Sequence, residues 1–226
     1  MNLIIKTLKK NKLIKKIAFF LINKIGLKKN IVGVDNVIKY SDNALFRNVH
    51  IVIKGNNNII KIAENCRINK VKVYISGNDN KINVGVGVLF NRSGDLWIED
   101  NNCLIKIGDL STFENVHLAA TENGSQIVIG KDCMFAYDID VRTGDSHSII
   151  ELQDNKRINY AKDVVIGNHV WIGSHVSILK GVIIADNCVI ATRSLLTKSI
   201  EQECTIVGGN PQRILKANVM WNRNRI

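Results

Sequence analysis

Imidazole is the side chain that changes charge near neutral pH, so the five histidines are where proton transfer would first be sought. His147 stands apart from the others. It lies in Gly144-Asp-Ser-His-Ser148, at the foot of the polar and charged stretch RTGDSHSIIELQDNKRINYAKD, residues 142–163. A neutral imidazole there can take the proton of a hydroxyl as its oxygen attacks an electrophile. Asp145 or a backbone carbonyl would hold the ring in the right tautomer. Trp171, in HVWIG, comes 24 residues after His147 and stands between two core-type residues, so its ring points outward. His50 and His117 recur in the matching phrases FRNVHI and FENVHL, which marks them as repeat architecture. His169 and His175, six apart, occupy equivalent corner positions alongside Asn187 and read as solvated corner residues.

These residues need a scaffold, and the stretch from Val164 to Leu196 specifies one. Ile166, Ile172, Ile178, Ile184, Ile190 and Leu196 fall at every sixth residue. Four places after each of the first five comes a small or β-branched residue: Val170, Val176, Val182, Cys188 and Ser194. Six residues of α-helix turn through roughly 600°, so these positions would share no helical face. A simple strand alternates by two and needs no larger unit. Period six, with one aliphatic and one small inward position, is the pattern of a hexapeptide β-helix, three units to a triangular coil.

The same unit recurs upstream at longer spacing. Tyr40-SDNA-Leu-Phe46, Ile62-AENC-Arg-Ile68, Val84-GVGV-Leu-Phe90, Ile107-GDLS-Thr-Phe113 and Ile129-GKDC-Met-Phe135 align, their leading residues 22, 22, 23 and 22 apart. Polar turns rich in Asn and Gly separate them at 55–58, 77–80, 99–102 and 122–125 and suit left-handed or tight-turn backbone. A rung is thus a coil of about eighteen residues plus a corner loop of about four. An antiparallel sandwich with turns at hairpin spacing does not predict five aligned copies. The stretch 142–163, where the pattern stops, reads as a loop inserted at a corner, on the face where solenoids often carry function.

Charge and cysteines narrow the class. Residues 1–30 hold nine lysines and no acid, so they supply +9 of the net charge of +11 and the rest is close to balanced. With no RNP motif, zinc-finger spacing or aromatic stacking pattern, nucleic acid is a poor partner. Residues 1–30 read as a basic amphipathic helical segment. Its longest apolar run, Ile17–Ile22, is too short to span a bilayer, and no small-residue cleavage site follows it. The segment either caps the open end of the solenoid or lies on anionic lipid with Phe19 and Phe20 inserted. The five cysteines are an odd number without a CxxC pair. Cys66, Cys133 and Cys188 sit on small inward positions, so they read as core hydrophobes in a reducing compartment.

With period-six repeats, the loop Gly144–Ser148 and GGNPQRILK at 208–216, the chain resembles the hexapeptide-repeat acyltransferase family from about residue 37 to 216. The loop histidine followed by Trp171 is similar to the pair found in O-acetyltransferases of capsule, polysialic acid and O-antigen. The resemblance implies an all-β, left-handed parallel β-helix, a homotrimer, and acetyl-CoA as donor in the groove between subunits. The division it suggests is a helical segment at 1–30, a catalytic β-helix at 31–210 with the inserted loop at about 142–163, and a tail at 211–226. It implies His147 as the base, with Trp171 and Asp145 as catalytic partners, and Arg142, Ser146 and Trp171 toward the sugar. Donor contacts would come from Ala185, Ala191, Ser194, Lys198, Pro211, Arg213 and Lys216. Gln212 stands where the family commonly has Ala after this proline, which would alter the adenine pocket. No strong nucleophile-plus-base set accompanies the histidine, so direct attack by the acceptor is preferred over a covalent acyl-enzyme.

The leading expectation is therefore transfer of acetyl from acetyl-CoA to a hydroxyl of a bacterial surface polysaccharide or its precursor. The enzyme would be cytoplasmic, with residues 1–30 available for peripheral contact with the inner face of the membrane. N-acetylation of an amino-sugar nucleotide or small molecule uses the same scaffold and histidine. A γ-type carbonic-anhydrase-like zinc site from His147, His169 and His175 can be drawn, but no acidic partner set goes with it and no metal is expected. A non-enzymatic scaffold does not explain the interrupted loop. Arg142, Lys156, Arg157 and Arg193 near the loop hint at an anionic glycan.

Overall fold

The computed structural model describes residues 12–226, with side chains from residue 16 onward. The part of the N-terminal helical expectation that falls on residues 1–11 lies outside the described residues. Helix α1, Lys12–Gly26, enters a strand, Leu27–Val32, that pairs in parallel with Val49–Lys54. The solenoid thus begins at Leu27, a few residues before the boundary expected from sequence. No helix among the described residues is long and apolar enough to cross a membrane.

From Leu27 to Gly208 the chain winds as a parallel β-solenoid with three faces, each strand hydrogen-bonding to its counterparts one rung below and above. On the first face Ile62, Val84, Ile107, Ile129, Ile166 and Ile184 stack in register. On the second, Phe46, Ile68, Phe90, Phe113, Phe135, Ile172, Ile190 and Val207 do so. The third stacks Ile51, Val73, Leu96, Leu118, Val141, Ile178 and Leu196. These columns are the core, as the repeat predicts. The small positions Ala44, Cys66, Val88, Ser111, Cys133, Val170, Val176, Val182 and Cys188 are fully buried at the corners.

The corner between the third and first faces explains the 22-residue rungs. Asn56, Asn78, Asn101 and Asn123 stack there. Each side-chain oxygen accepts the backbone N–H one rung below, at 2.8–3.0 Å. A second, buried series lies beside it. Asn80 accepts the Cys103 N–H at 2.8 Å and donates to the Asp100 carbonyl at 2.9 Å, while its own N–H reaches Asn58. A buried backbone group without a partner costs about 1–3 kcal/mol. Asn80→Ala orphans two such groups, so we expect it to lower unfolding stability by about 2–3 kcal/mol in urea titrations.

Candidate active site

The inserted loop occupies this same corner, one rung above the last four-residue turn, between strands Ile139–Arg142 and Val164–Ile166. It is pinned rather than loose. Arg157 pairs with Glu122 of the turn below, and Glu122 also accepts the Ala161 N–H at 3.2 Å. Asn159 is buried at the loop's centre. Its Nδ2 donates to Asp145 at 2.9 Å and to the His147 carbonyl at 2.7 Å, and its Oδ1 accepts the Ile149 N–H at 2.7 Å. Lys180, from the next coil, also pairs with Asp145 and donates to the Asn159 carbonyl at 2.9 Å. Between the loop and the turn beneath it, a cavity of about 450 Å³ is bordered by Glu122, Arg157, Tyr160 and Asp163.

The result is a rigid backbone carrying a free ring. The His147 side chain is exposed and hydrogen-bonds to no described residue, while the backbone N–H of His147 donates to the Asp145 carbonyl at 2.8 Å. The expected orientation of the ring by the Asp145 carboxylate is not what the structure places there. That carboxylate turns toward Lys180 and Asn159, so it holds the loop and reaches His147 only through Asn159. Lys180 holds the Asp145 carboxyl below the usual carboxylate range, against a smaller upward push from burial, with Asn159 adding to the lowering. Because the folded pKa is depressed, the clamp is intact above the ordinary carboxylate pKa. It is lost only as pH falls through the lower, folded value.

Asn159 and Lys180 are the residues that sequence reading passed over. One is an asparagine in a polar loop and the other a lysine at a coil corner, and neither type nor spacing distinguishes them. We expect Asn159→Ala to lower turnover roughly 10-fold or more, since misplacing a base by an ångström is costly. Because it acts only on position, the pH at which the rate falls should stay where it is in wild type.

Arg142 is engaged: its guanidinium makes two bonds to Asp140, at 2.7 and 2.9 Å, and His117 Nδ1 lies 2.9 Å from the same carboxylate. Burial alone would raise the Asp140 pKa, but these hydrogen bonds outweigh it and hold the carboxyl low. Ser146 is exposed in left-handed backbone beside His147. Lys156 pairs with Asp154 at 2.7 Å, and Arg193 is exposed. His117 is therefore a hydrogen-bond partner of Asp140 as well as a repeat residue.

Trp171 points outward, 38% exposed, on the second face between Met134 and Val189. The loop with His147 leaves the third face, so within one chain the strands that carry them are on different faces. Beside Trp171 lies a feature absent from the sequence reading. The C-terminal segment folds back over the coil, and Trp221 is buried with its ring centroid 6.0 Å from that of Trp171. Trp221 stacks on His169 at 4.1 Å and donates to the His169 carbonyl at 2.7 Å. Arg223 bonds Asp132 at 2.7 Å and the Cys133 carbonyl at 2.9 Å. His169 Nδ1 meets Asp132 at 2.7 Å and His175 Nδ1 meets Asp138 at 2.8 Å, so His169 is a packed residue rather than a solvated one. Among the described residues no three His, Cys, Asp or Glu side chains are grouped to hold a metal. Burial pushes the Cys133 thiol up to about 11, which leaves it protonated at neutral pH and out of reach as a nucleophile.

The residues expected to meet the donor divide. Lys198, Gln212 and Arg213 border a shallow cavity of about 370 Å³ at the last coil. Gln212 ties the closing segment to that coil, accepting the Thr197 and Lys198 N–H groups at 2.7 and 3.1 Å and donating to the Lys198 carbonyl at 2.6 Å. Pro211 and Lys216 are exposed nearby, and Ala185 and Ala191 are partly buried on the coil. Ser194 is buried, and its hydroxyl donates to the Ala191 carbonyl at 2.6 Å and accepts the Gly209 N–H at 3.2 Å, so both of these bonds lie within the closing end of the solenoid.

Residues 163–198 match the family described as bacterial transferase hexapeptide (six repeats). The crystal structure of the polysialic acid O-acetyltransferase OatWY superposes with a TM-score of 0.82 and 32% identity, over 88% of this chain and 92% of that one. The chain belongs to the hexapeptide-repeat acyltransferase family. Two curated relatives add local matches. A polysialic acid O-acetyltransferase of Escherichia coli O1:K1 / APEC is 32% identical over 73 residues, 32% of this chain and 24% of that protein. A chloramphenicol acetyltransferase of Agrobacterium fabrum (strain C58 / ATCC 33970) is 50% identical over 56 residues, 25% of this chain and 26% of that one. These alignments thus span about a quarter of the curated relatives' length.

Proposed function

We propose that this family member transfers acetyl from acetyl-CoA to a hydroxyl of a bacterial surface polysaccharide or its precursor. The observation that carries the reading is the likeness to a polysialic acid O-acetyltransferase over nearly its whole fold, with a free histidine on a braced loop. His147 takes the hydroxyl proton as the acceptor oxygen attacks the thioester carbonyl. The carbon–sulfur bond then breaks, and the same proton passes to the departing thiolate. A backbone N–H at the coil corner would stabilise the oxyanion. Lys198, Arg213 and Lys216 supply cations suited to the donor's phosphates, and Ala185 and Ala191 leave room for a narrow pantetheine arm. Placement of His147 and Trp171 on different faces supports a homotrimer in which one subunit's loop meets its neighbour's tryptophan. Free cysteines, four of them buried, support a reducing, cytoplasmic setting.

A second reading rests on the chloramphenicol acetyltransferase match. Its 56 residues are half identical, so acetylation of a small molecule on the same coil is the alternative. Free-thiol release from acetyl-CoA, measured with acidic capsular glycans, sugar nucleotides and chloramphenicol, separates the two. Release with the glycans, or O-acetylation of their sugar-nucleotide precursors, supports the first reading, and release only with chloramphenicol or with acetylation at the amine of an amino-sugar nucleotide overturns it.

A further inference from the structure

Helix α1 has more apolar surface than its place in the fold uses. One side closes the first coil. Asn23 is buried there, donating to the Ala44 carbonyl at 2.9 Å and accepting the Phe46 N–H at 2.8 Å. Phe19 lies on this side, with the Arg67 guanidinium 5.1 Å from its ring centre, and Leu27 is buried where the helix ends. The capping role foreseen for the segment is thus filled by one face. On the opposite side Ile17, Leu21 and Ile25, spaced four apart and so in one ridge, are 52%, 55% and 81% exposed. Phe20, 67% exposed, turns toward the open end of the coil, where with Ile17 and Tyr40 it borders a mostly apolar cavity of about 470 Å³. Val32 and Val34 of the first rung are exposed as well.

Cations frame this surface. Lys16, Lys24, Lys28, Lys29 and Lys39 are exposed around the ridge and the coil end, and Lys16 reaches one acid, Asp42, at 3.4 Å. Residues 1–30 carry nine lysines and no acid. Aliphatic and aromatic side chains bordered by lysines on long stems suit a bilayer surface whose acyl boundary takes the apolar ridge and whose phosphates meet the ammonium groups. A contact between two copies would instead bring two lysine-rich helices together, at a cost in repulsion. We propose that the N-terminal end of the solenoid docks on an anionic lipid surface through Ile17, Phe20, Leu21 and Ile25. This reading is independent of the acyl-transfer proposal. A surface lysine raises partitioning to anionic membranes by about fivefold, so the lysines set the lipid preference and the ridge sets the depth.

The test is co-sedimentation of the full chain with vesicles of phosphatidylcholine alone and with phosphatidylglycerol added to about a third, which gives the surface a negative potential. We expect binding to the anionic vesicles at least ~10-fold above the neutral ones, weakened by raising salt from roughly 0.1 to 0.5 M. Leu21→Ser with Ile25→Ser should lower it ~10-fold or more, and because both side chains are exposed the thermal midpoint should not move. Equal binding to both lipids, or unchanged binding by the double variant, overturns the proposal. So does a double variant whose particle mass in light scattering falls while vesicle binding persists, because the ridge then belongs to a contact between copies.

Discussion

His147→Ala lowers acetyl transfer to the acceptor at least ~100-fold, the loss that follows removal of a general base. The effect is separable from folding. The ring is exposed and hydrogen-bonds to no described residue, and the loop is held by the His147 carbonyl, which alanine keeps. The thermal midpoint should therefore stay within a degree or two, because surface substitutions of this kind fall within about ±0.5 kcal/mol. Thiol release with saturating acetyl-CoA and a responsive glycan is the measurement. Equal turnover by variant and wild type would remove His147 from the chemistry and leave the loop as architecture. A fall in the thermal midpoint alongside lost activity would point to the loop instead of the base.

The largest stability effect is expected deep in the coil. Phe113 is fully buried, its ring stacked 4.6 Å from Phe90 below and tilted against Phe135 above at 4.7 Å. Removing a buried phenyl costs about 3–5 kcal/mol, through lost transfer energy and the cavity left behind. Here the cost should sit at the upper end. Each rung touches only its neighbours, and the hydrogen-bonded strands on all three faces keep the wall from closing on the gap. We therefore expect Phe113→Ala to shift the urea midpoint far more than Asn80→Ala, and Phe113→Leu to recover much of the loss. A Phe113→Ala midpoint close to wild type would mean that the aromatic stack is not what spaces these rungs.

The fold was legible because its signal is repetitive. A period of six places the same residue type at the same point of every turn, so Ile166, Ile172 and Ile178 announce three faces before any contact is known. The 22-residue rungs were legible for the same reason. Tyr40 indeed pairs with Ile62, although at the open first rung it is exposed rather than enclosed. The break at 142–163 was legible as an interruption of that rhythm, and it brought His147 into view.

What joins residues without a period was not legible. Asp145 is braced by Asn159 and Lys180, 14 and 35 residues away, because the loop folds back over the next coil. Trp221 reaches His169 across 52 residues because the terminal segment reverses along the outside of the coil. Ser194 sits at an inward small position, so its hydroxyl bonds within the closing end of the coil. The sequence by itself determined the solenoid, the place of its loop and the histidine offered there, since hydrophobic period and turn chemistry act locally and repeat. Only the tertiary structure decided which polar groups hold that histidine, and that Trp171 stands on another face. Those contacts depend on side chains meeting across rungs, where no spacing along the chain records the distance.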